Sequence, residues 1–131
     1  MTEKMARAAA HWWAQKIDGN IHHDNGDRNE ASVLAGIFAD ILAKPAGNDE
    51  LQAFEDNLTR RIMTEESYRW YNFGCDYGPD AILCDAAKDA DVDTYNFPWK
   101  TRMHIRPDEG IIEVSEGYQA PWVTIYTEEE L

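Results

Sequence analysis

The chain has 131 residues and carries 25 Asp and Glu against 12 Lys and Arg, giving a formal net charge of −13 and an isoelectric point near 4.5. This charge argues against direct binding to nucleic acid or to acidic membranes, and it favours a basic protein surface as the partner. Hydrophobic residues make up 44% of the chain, too many for a disordered acidic tail. We therefore expect a single folded domain over residues 1–131, which is soluble and cytoplasmic because no signal peptide or membrane-spanning run is present.

The helical half, about residues 1–66, has the periodicity of three helices. The first covers 3–17 and is rich in alanine, the residue with the best helix propensity. In the second, over 30–43, the apolar repeat is so regular that we expect this helix to be the central core element; its apolar residues are Val33, Leu34, Ile37, Phe38, Ile41 and Leu42. The third runs over 48–66, with a mostly acidic outer face and an apolar stripe of Leu51, Phe54, Leu58 and Ile62.

The sheet half, about residues 67–131, changes to the two-residue period of β-strands. An aromatic strand is predicted over 68–75, followed by a helix over 79–90 with Pro79 at its first position. The segment 99–106 alternates apolar and basic side chains, which predicts one buried and one wet face. A turn leads to a strand over 111–116 with Ile112 and Val114 inward, and a last strand covers 122–126. The sequence thus predicts an α+β fold: three N-terminal helices followed by a small, mostly antiparallel sheet with one inserted helix.

A polar loop between the first two helices holds the best candidate for a metal site. Imidazole and carboxylate groups are ligands of first-row metals, and the loop supplies His22, His23, Asp24 and Asp27. A structural zinc site needs about four ligands, so a complete site would recruit side chains from elsewhere, such as His11, Cys75, Cys84 or His104. The alternative is a solvated loop whose polar residues cap the neighbouring helix.

No sequence motif for catalysis stands out. The glycine-rich phosphate loops and the serine nucleophile elbow are all missing from the sequence, so we expect a protein that is not an enzyme. Cys75 and Cys84 are too few for a disulfide framework and are interpreted as reduced thiols.

Carboxylates occur in runs that predict a partner-binding surface. Rigid, spaced carboxylates on helices can imitate phosphates, and the residues expected to bind a partner are Asp49, Glu50, Glu55, Asp85, Asp89, Asp91 and Asp93. The alternative is that these acidic faces only keep the protein soluble. The basic face of the strand over 99–106 carries Lys100, Arg102 and Arg106, and cross-strand pairing with Glu113 and its neighbours explains it better than a phosphate site.

Four segments resemble small proteins encoded by phages and mobile elements of gut bacteria: HWWAQKI at 11–17, HHDNGD at 22–27, DYGPD at 76–80 and FPWKTRM at 97–103. Small acidic phage proteins include anti-CRISPR proteins. The resemblance therefore implies an inhibitor of a type II CRISPR nuclease in the host bacterial cell, whose carboxylates engage a surface that normally guides nucleic acid. It also favours a structural metal in the loop at 22–27. The alternatives are a metal-dependent hydrolase that uses the same loop and an acidic adaptor protein.

Overall fold

The structure is a computed structural model that describes residues 1–20, 30–64 and 71–128. These residues form α1 Glu3–Ile17, α2 Glu30–Leu42, α3 Asn48–Thr64, β1 Tyr71–Cys75, α4 Ala81–Asp89, a 3₁₀ turn Thr94–Asn96, β2 Thr101–Arg106, β3 Ile111–Glu116 and β4 Trp122–Thr127. The predicted α+β fold, with three helices followed by a sheet and an inserted helix, is confirmed. None of the described helices is long and apolar enough to cross a membrane.

The sheet is an antiparallel meander in which spatial order follows chain order, β1-β2-β3-β4. Its register places Phe73 opposite Met103 and Met103 opposite Val114, and all three side chains are buried on the inner face. A register shift after Ile112 introduces a bulge between β3 and β4. The outer face carries the polar side chains of the same strands, so the predicted alternation over 99–106 is confirmed.

The core lies between the inner face of the sheet and the helices α1 and α3. Trp13 of α1 is fully buried, with its ring centroid 6.3 Å from that of Phe73 and 6.1 Å from that of Phe97. The predicted stripe of α3 is confirmed: Phe54, Leu58 and Ile62 are buried, and Leu51 is half-buried against the core. Large side chains from both helices therefore fill the space under the sheet, where truncation of one such residue costs roughly 2–5 kcal/mol.

Helix α2 is not the central core element, and that prediction is wrong. Its apolar face lies at the surface, where Phe38 is 56% and Ile41 is 72% exposed, while Ala39 is buried. The physical reason is that side chains of α1 and α3 already fill the core under the sheet, to which α2 contributes the small side chain of Ala39. Periodicity shows that a helix has an apolar face, but it does not show which surface covers that face.

Helix α4 begins at Ala81, two residues later than predicted, because Pro79 belongs to the preceding turn. Pro79 forms a β-bridge with Cys75, and the backbone N–H of Asp80 donates to the Gly74 carbonyl at 2.8 Å. Asp80 occupies the N-cap with extended backbone angles, and its carboxylate accepts a hydrogen bond from the Gly74 N–H at 2.9 Å. This turn fastens the start of α4 to the end of β1.

Two further features concern the cysteines and the contact between the start of α1 and the end of β4. Cys75 and Cys84 are free thiols, as predicted. The hydroxyl of Thr2, which caps α1, donates to the carboxylate of Glu128 at 3.2 Å, so α1 begins beside the end of β4.

Candidate functional site

The predicted partner-binding carboxylates lie on α3, on α4 and in the segment after α4. Asp85, Asp89 and Asp91 are exposed, and Asp93 is half-buried. Asp49, which is exposed, and the half-buried Glu50 lie in the first turn of α3, where a negative charge stabilises the helix dipole.

Helices α3 and α4 pack side by side. The Asn57 amide donates to the Ala86 carbonyl at 3.4 Å, and one helical turn later Arg61 forms an ion pair with Asp89. Within the described residues, Asp85 takes part in no ion pair. Such exposed pairs contribute only about 0–1 kcal/mol, so an incoming cation can replace Arg61 at little cost.

Glu55 has a structural position that sets it apart from the other predicted contacts. Its side chain is only 12% exposed, and its carboxylate accepts hydrogen bonds from Arg7 at 3.1 Å and from His11. Arg7 also donates to Asp56 at 3.0 Å, and this hydrogen bond lowers the pKa of the Asp56 carboxyl and raises the pKa of Arg7. Glu55 therefore joins α1 to α3 and is not available at the surface in the way that Asp85 is.

The end of α2 is attached to the acidic segment after α4. The Lys44 backbone N–H donates to the Asp93 carboxylate at 3.0 Å, and the Asn96 amide donates to the Lys44 carbonyl at 2.7 Å. The Lys44 ammonium lies 3.8 Å from the Asp91 carboxylate, in a pair that is open to solvent on both sides. The C-terminal end of α2, which carries the exposed Ile41 and Leu42, and the acidic residues Asp91 and Asp93 are consequently neighbours, a juxtaposition that sequence reasoning missed.

The basic strand uses its charges within the sheet. Arg106 pairs with Glu113 at 3.0 Å, which confirms the predicted cross-strand pair. Arg102 and Lys100 pair instead with Asp80 at 3.1 Å and Asp76 at 2.6 Å, both of which follow β1. Each predicted cation of this strand thus has a carboxylate partner.

The predicted metal ligands His22, His23, Asp24 and Asp27 lie outside the described residues. Among the residues that the structure does describe, no group of three or more His, Cys, Asp or Glu side chains is arranged to hold a metal ion. Of the additional ligands considered, His104 donates to Glu113 at 3.2 Å. Cys75 is fully buried, and burial raises the pKa of its thiol to about 12. Structural zinc at the loop stays a prediction.

The chain matches no protein-family model and no curated protein. Its function is therefore inferred from the geometry and charge of the described residues.

Proposed function

We propose that this protein is an acidic, non-enzymatic interaction protein that binds a basic nucleic-acid-binding surface of another protein. In its most specific form, the proposal is a phage-encoded inhibitor that binds a type II CRISPR effector and blocks its engagement with DNA. The observation that carries the proposal is the junction between the C-terminal end of the exposed apolar face of α2 and the acidic residues Asp91 and Asp93.

The apolar face of α2 has the character of an interface centre. Five large side chains on this one helix are between 42% and 72% exposed: Leu34, Ile37, Phe38, Ile41 and Leu42. Contiguous apolar surface of this kind on a folded domain marks an interaction site more often than it marks a neutral surface. A few residues near the centre of a protein interface supply most of the binding energy.

The acidic residues beside α2 have the character of an interface rim. Asp89 and Asp91 are exposed, and their ion pairs with Arg61 and Lys44 lie at the surface. Charges at a rim add little affinity when they meet their partners in water, but they steer the encounter and raise the association rate.

Charge complementarity selects the partner. Two copies of this chain would bring like-charged rims together, since each carries −13, and nucleic acid or an acidic membrane would be repelled for the same reason. A protein surface with both basic and apolar side chains complements both the acidic rim and the apolar centre of this surface. The channel of a CRISPR effector that holds nucleic acid is such a positively charged surface.

The test mixes the protein with a guide-loaded type II nuclease and measures binding and cleavage of target DNA. We expect both to fall as the protein is added in excess. Unchanged DNA binding and cleavage would contradict the proposal for the nuclease tested.

Variants separate the two parts of the surface. Phe38→Gln with Ile41→Gln removes the apolar centre and is expected to speed dissociation, whereas Asp89→Asn with Asp91→Asn is expected to slow association. The matched control is Asp108→Asn with Glu109→Gln, which removes two exposed charges from the β2–β3 turn. Equal effects of the rim and control pairs would mean that total charge, and not this surface, sets the rate.

A further inference from the structure

The outer face of the sheet contains a depression that the proposed function does not use, here called the sheet pocket. It encloses about 470 Å³, within the range of roughly 300–1,000 Å³ that is usual for small-molecule sites. One row of paired residues crosses all four strands beneath it: Gly74, Arg102, Ser115 and Trp122. Four lining residues belong to the strands, and the other five lie in the turns beside them: Asp76, Lys100, Gly117, Tyr118 and Gln119.

Aromatic rings form the apolar walls of the sheet pocket. The Trp122 ring stacks on His104, with centroids 3.8 Å apart and planes inclined by 17°. His104 is itself held by its hydrogen bond to Glu113, so the Trp122 ring is fixed in orientation while 43% of the residue stays exposed. Tyr118, which is 60% exposed, also lines the pocket. A fixed, half-exposed indole is a platform on which a planar ring can stack.

Two cations line the same pocket and point to an anionic group on the ligand. The Lys100 ammonium lies 4.5 Å from the centroid of the Tyr77 ring and 2.6 Å from the Asp76 carboxylate, and Arg102 pairs with Asp80. The side chain of Lys100 is 23% exposed and that of Asp76 is 66% exposed, so a ligand oxyanion that reaches the Lys100 ammonium displaces the Asp76 carboxylate toward solvent. Two cations balance two carboxylates here, which makes this region locally neutral although the whole chain is strongly negative.

The backbone around the sheet pocket is held in an unfavourable conformation. Lys100 and Gln119 both have φ of 56°, and they are two of the three non-glycine residues with positive φ among those the structure describes. Backbone hydrogen bonds of 2.9 Å fix Lys100 from both sides, from its N–H to the Asp76 carbonyl and from the Gly117 N–H to its own carbonyl. Strained residues that surrounding structure holds in place are concentrated at functional sites.

We propose that the sheet pocket binds a nucleotide-like small molecule, in which a planar heteroaromatic ring stacks on Trp122 and a phosphate group pairs with Lys100 and Arg102. Binding is reversible, because stacking and ion pairing form no covalent bond. This site is separate from the α2 surface, and it does not depend on the proposed inhibitor function.

The test titrates the protein with AMP, GMP, CMP and UMP by calorimetry, and maps the amide resonances that shift. We expect at least one monophosphate to bind and to shift resonances of Ser115, Tyr118 and Trp122. The matching nucleoside and inorganic phosphate are each expected to bind at least about tenfold more weakly. No binding by any monophosphate at about 5 mM, a concentration at which a millimolar dissociation constant is detected, would overturn the proposal.

Variants assign the two contacts separately. Trp122→Ala is expected to lower the affinity for the monophosphate at least about tenfold, because the stacking contact is lost. Lys100→Asn is expected to lower the affinity for the monophosphate but not the affinity for the nucleoside. Asparagine is chosen because it tolerates the left-handed backbone at this position. Lys88→Asn, an exposed cation on α4, is the control and should change neither affinity.

Two results would refute the assignment. Unchanged affinity in Trp122→Ala would remove the stacking contact, and equal affinities for nucleoside and monophosphate would remove the phosphate contact. If circular dichroism shows that Trp122→Ala does not fold, Tyr118→Ala replaces it, because Tyr118 contributes a second exposed ring to the same wall.

Discussion

Cys75 lies at the end of β1 with no solvent exposure, and burial raises the pKa of its thiol from 9.0 to about 12, with a further contribution from the nearby charge of Asp76. In the unfolded chain the thiol loses its proton near the ordinary value, whereas the folded protein retains it. Between these two pKa values the folded state therefore binds more protons, so stability falls as pH rises.

We predict that the free energy of unfolding decreases more steeply between about pH 8 and about pH 10.5 in the wild type than in Cys75→Ala. Urea unfolding at both pH values measures the difference. The smaller side chain of alanine changes the free energy of unfolding by the same amount at both pH values. The difference in pH dependence between the two proteins therefore reports on the thiol alone. Identical slopes in the two proteins would show that Cys75 titrates normally in the folded state.

For Glu55, the ion-pair partners could not be identified from the sequence. Glu55 looked like a surface acid on the outer face of α3, yet it accepts hydrogen bonds from Arg7 and His11 of α1. A carboxylate and a cation far apart in sequence show no mutual pattern, because their pairing depends on how the helices pack. The pair of Arg106 and Glu113 was predictable, since a hairpin register brings these positions close.

Among the elements, α2 and α3 have similar apolar patterns and opposite surroundings. We predict that Phe38→Gln with Ile41→Gln changes the free energy of unfolding by less than about 1 kcal/mol, because both side chains are already largely in water. Leu58→Ala in α3 is expected to cost about 2–5 kcal/mol, because Leu58 is fully buried. Urea denaturation compares them, and a loss of several kcal/mol in the α2 variant would show that its apolar face is covered in solution.

The contact between β1 and β2 gives a second prediction at this scale. A Cβ added at Gly74 would lie 2.2 Å from the Thr101 carbonyl oxygen and 2.7 Å from the Arg102 Cα, so Gly74→Ala forces the two backbones apart. We expect a loss of about 1–3 kcal/mol in thermal or urea unfolding. Gly78→Ala is the matched control, because a Cβ there meets no atom within 4 Å. Similar stability of the two variants would contradict the close approach of these strands.

A helix or strand can be predicted from the sequence when the interactions that place it are local. The stripe of α3 and the alternation of β2 were correctly predicted, because each pattern buries its own apolar face against the nearest layer. The start of α4 was misplaced, because Pro79 fits a first helical turn and a bridge to Cys75 equally well. The position of α2 depends on competition among helices for one sheet face, which no local pattern records. The sheet pocket was missed for a related reason, since it requires the register of all four strands.

For the whole molecule, the charge of −13 predicts a specific response to salt. Self-repulsion destabilises a compact chain of this charge, and the screening length falls from about 30 Å at 0.01 M salt to about 8 Å at 0.15 M. We predict that the midpoint of thermal unfolding rises as sodium chloride increases over this range. Scanning calorimetry measures it, and a falling midpoint would mean that ion pairs such as Arg7 with Asp56 outweigh the repulsion.

The hydrogen bond between Thr2 and Glu128 has a consequence for how the chain can be reconnected. Residues that meet in this way can be joined by a flexible linker of about five Gly and Ser residues, with new ends opened in the turn at 107–110. Such a circular permutant is expected to give the same circular dichroism spectrum as the parent and to unfold cooperatively. The meander would then begin with β3 and end with β2, so the order of strands along the chain is separable from their order in the sheet.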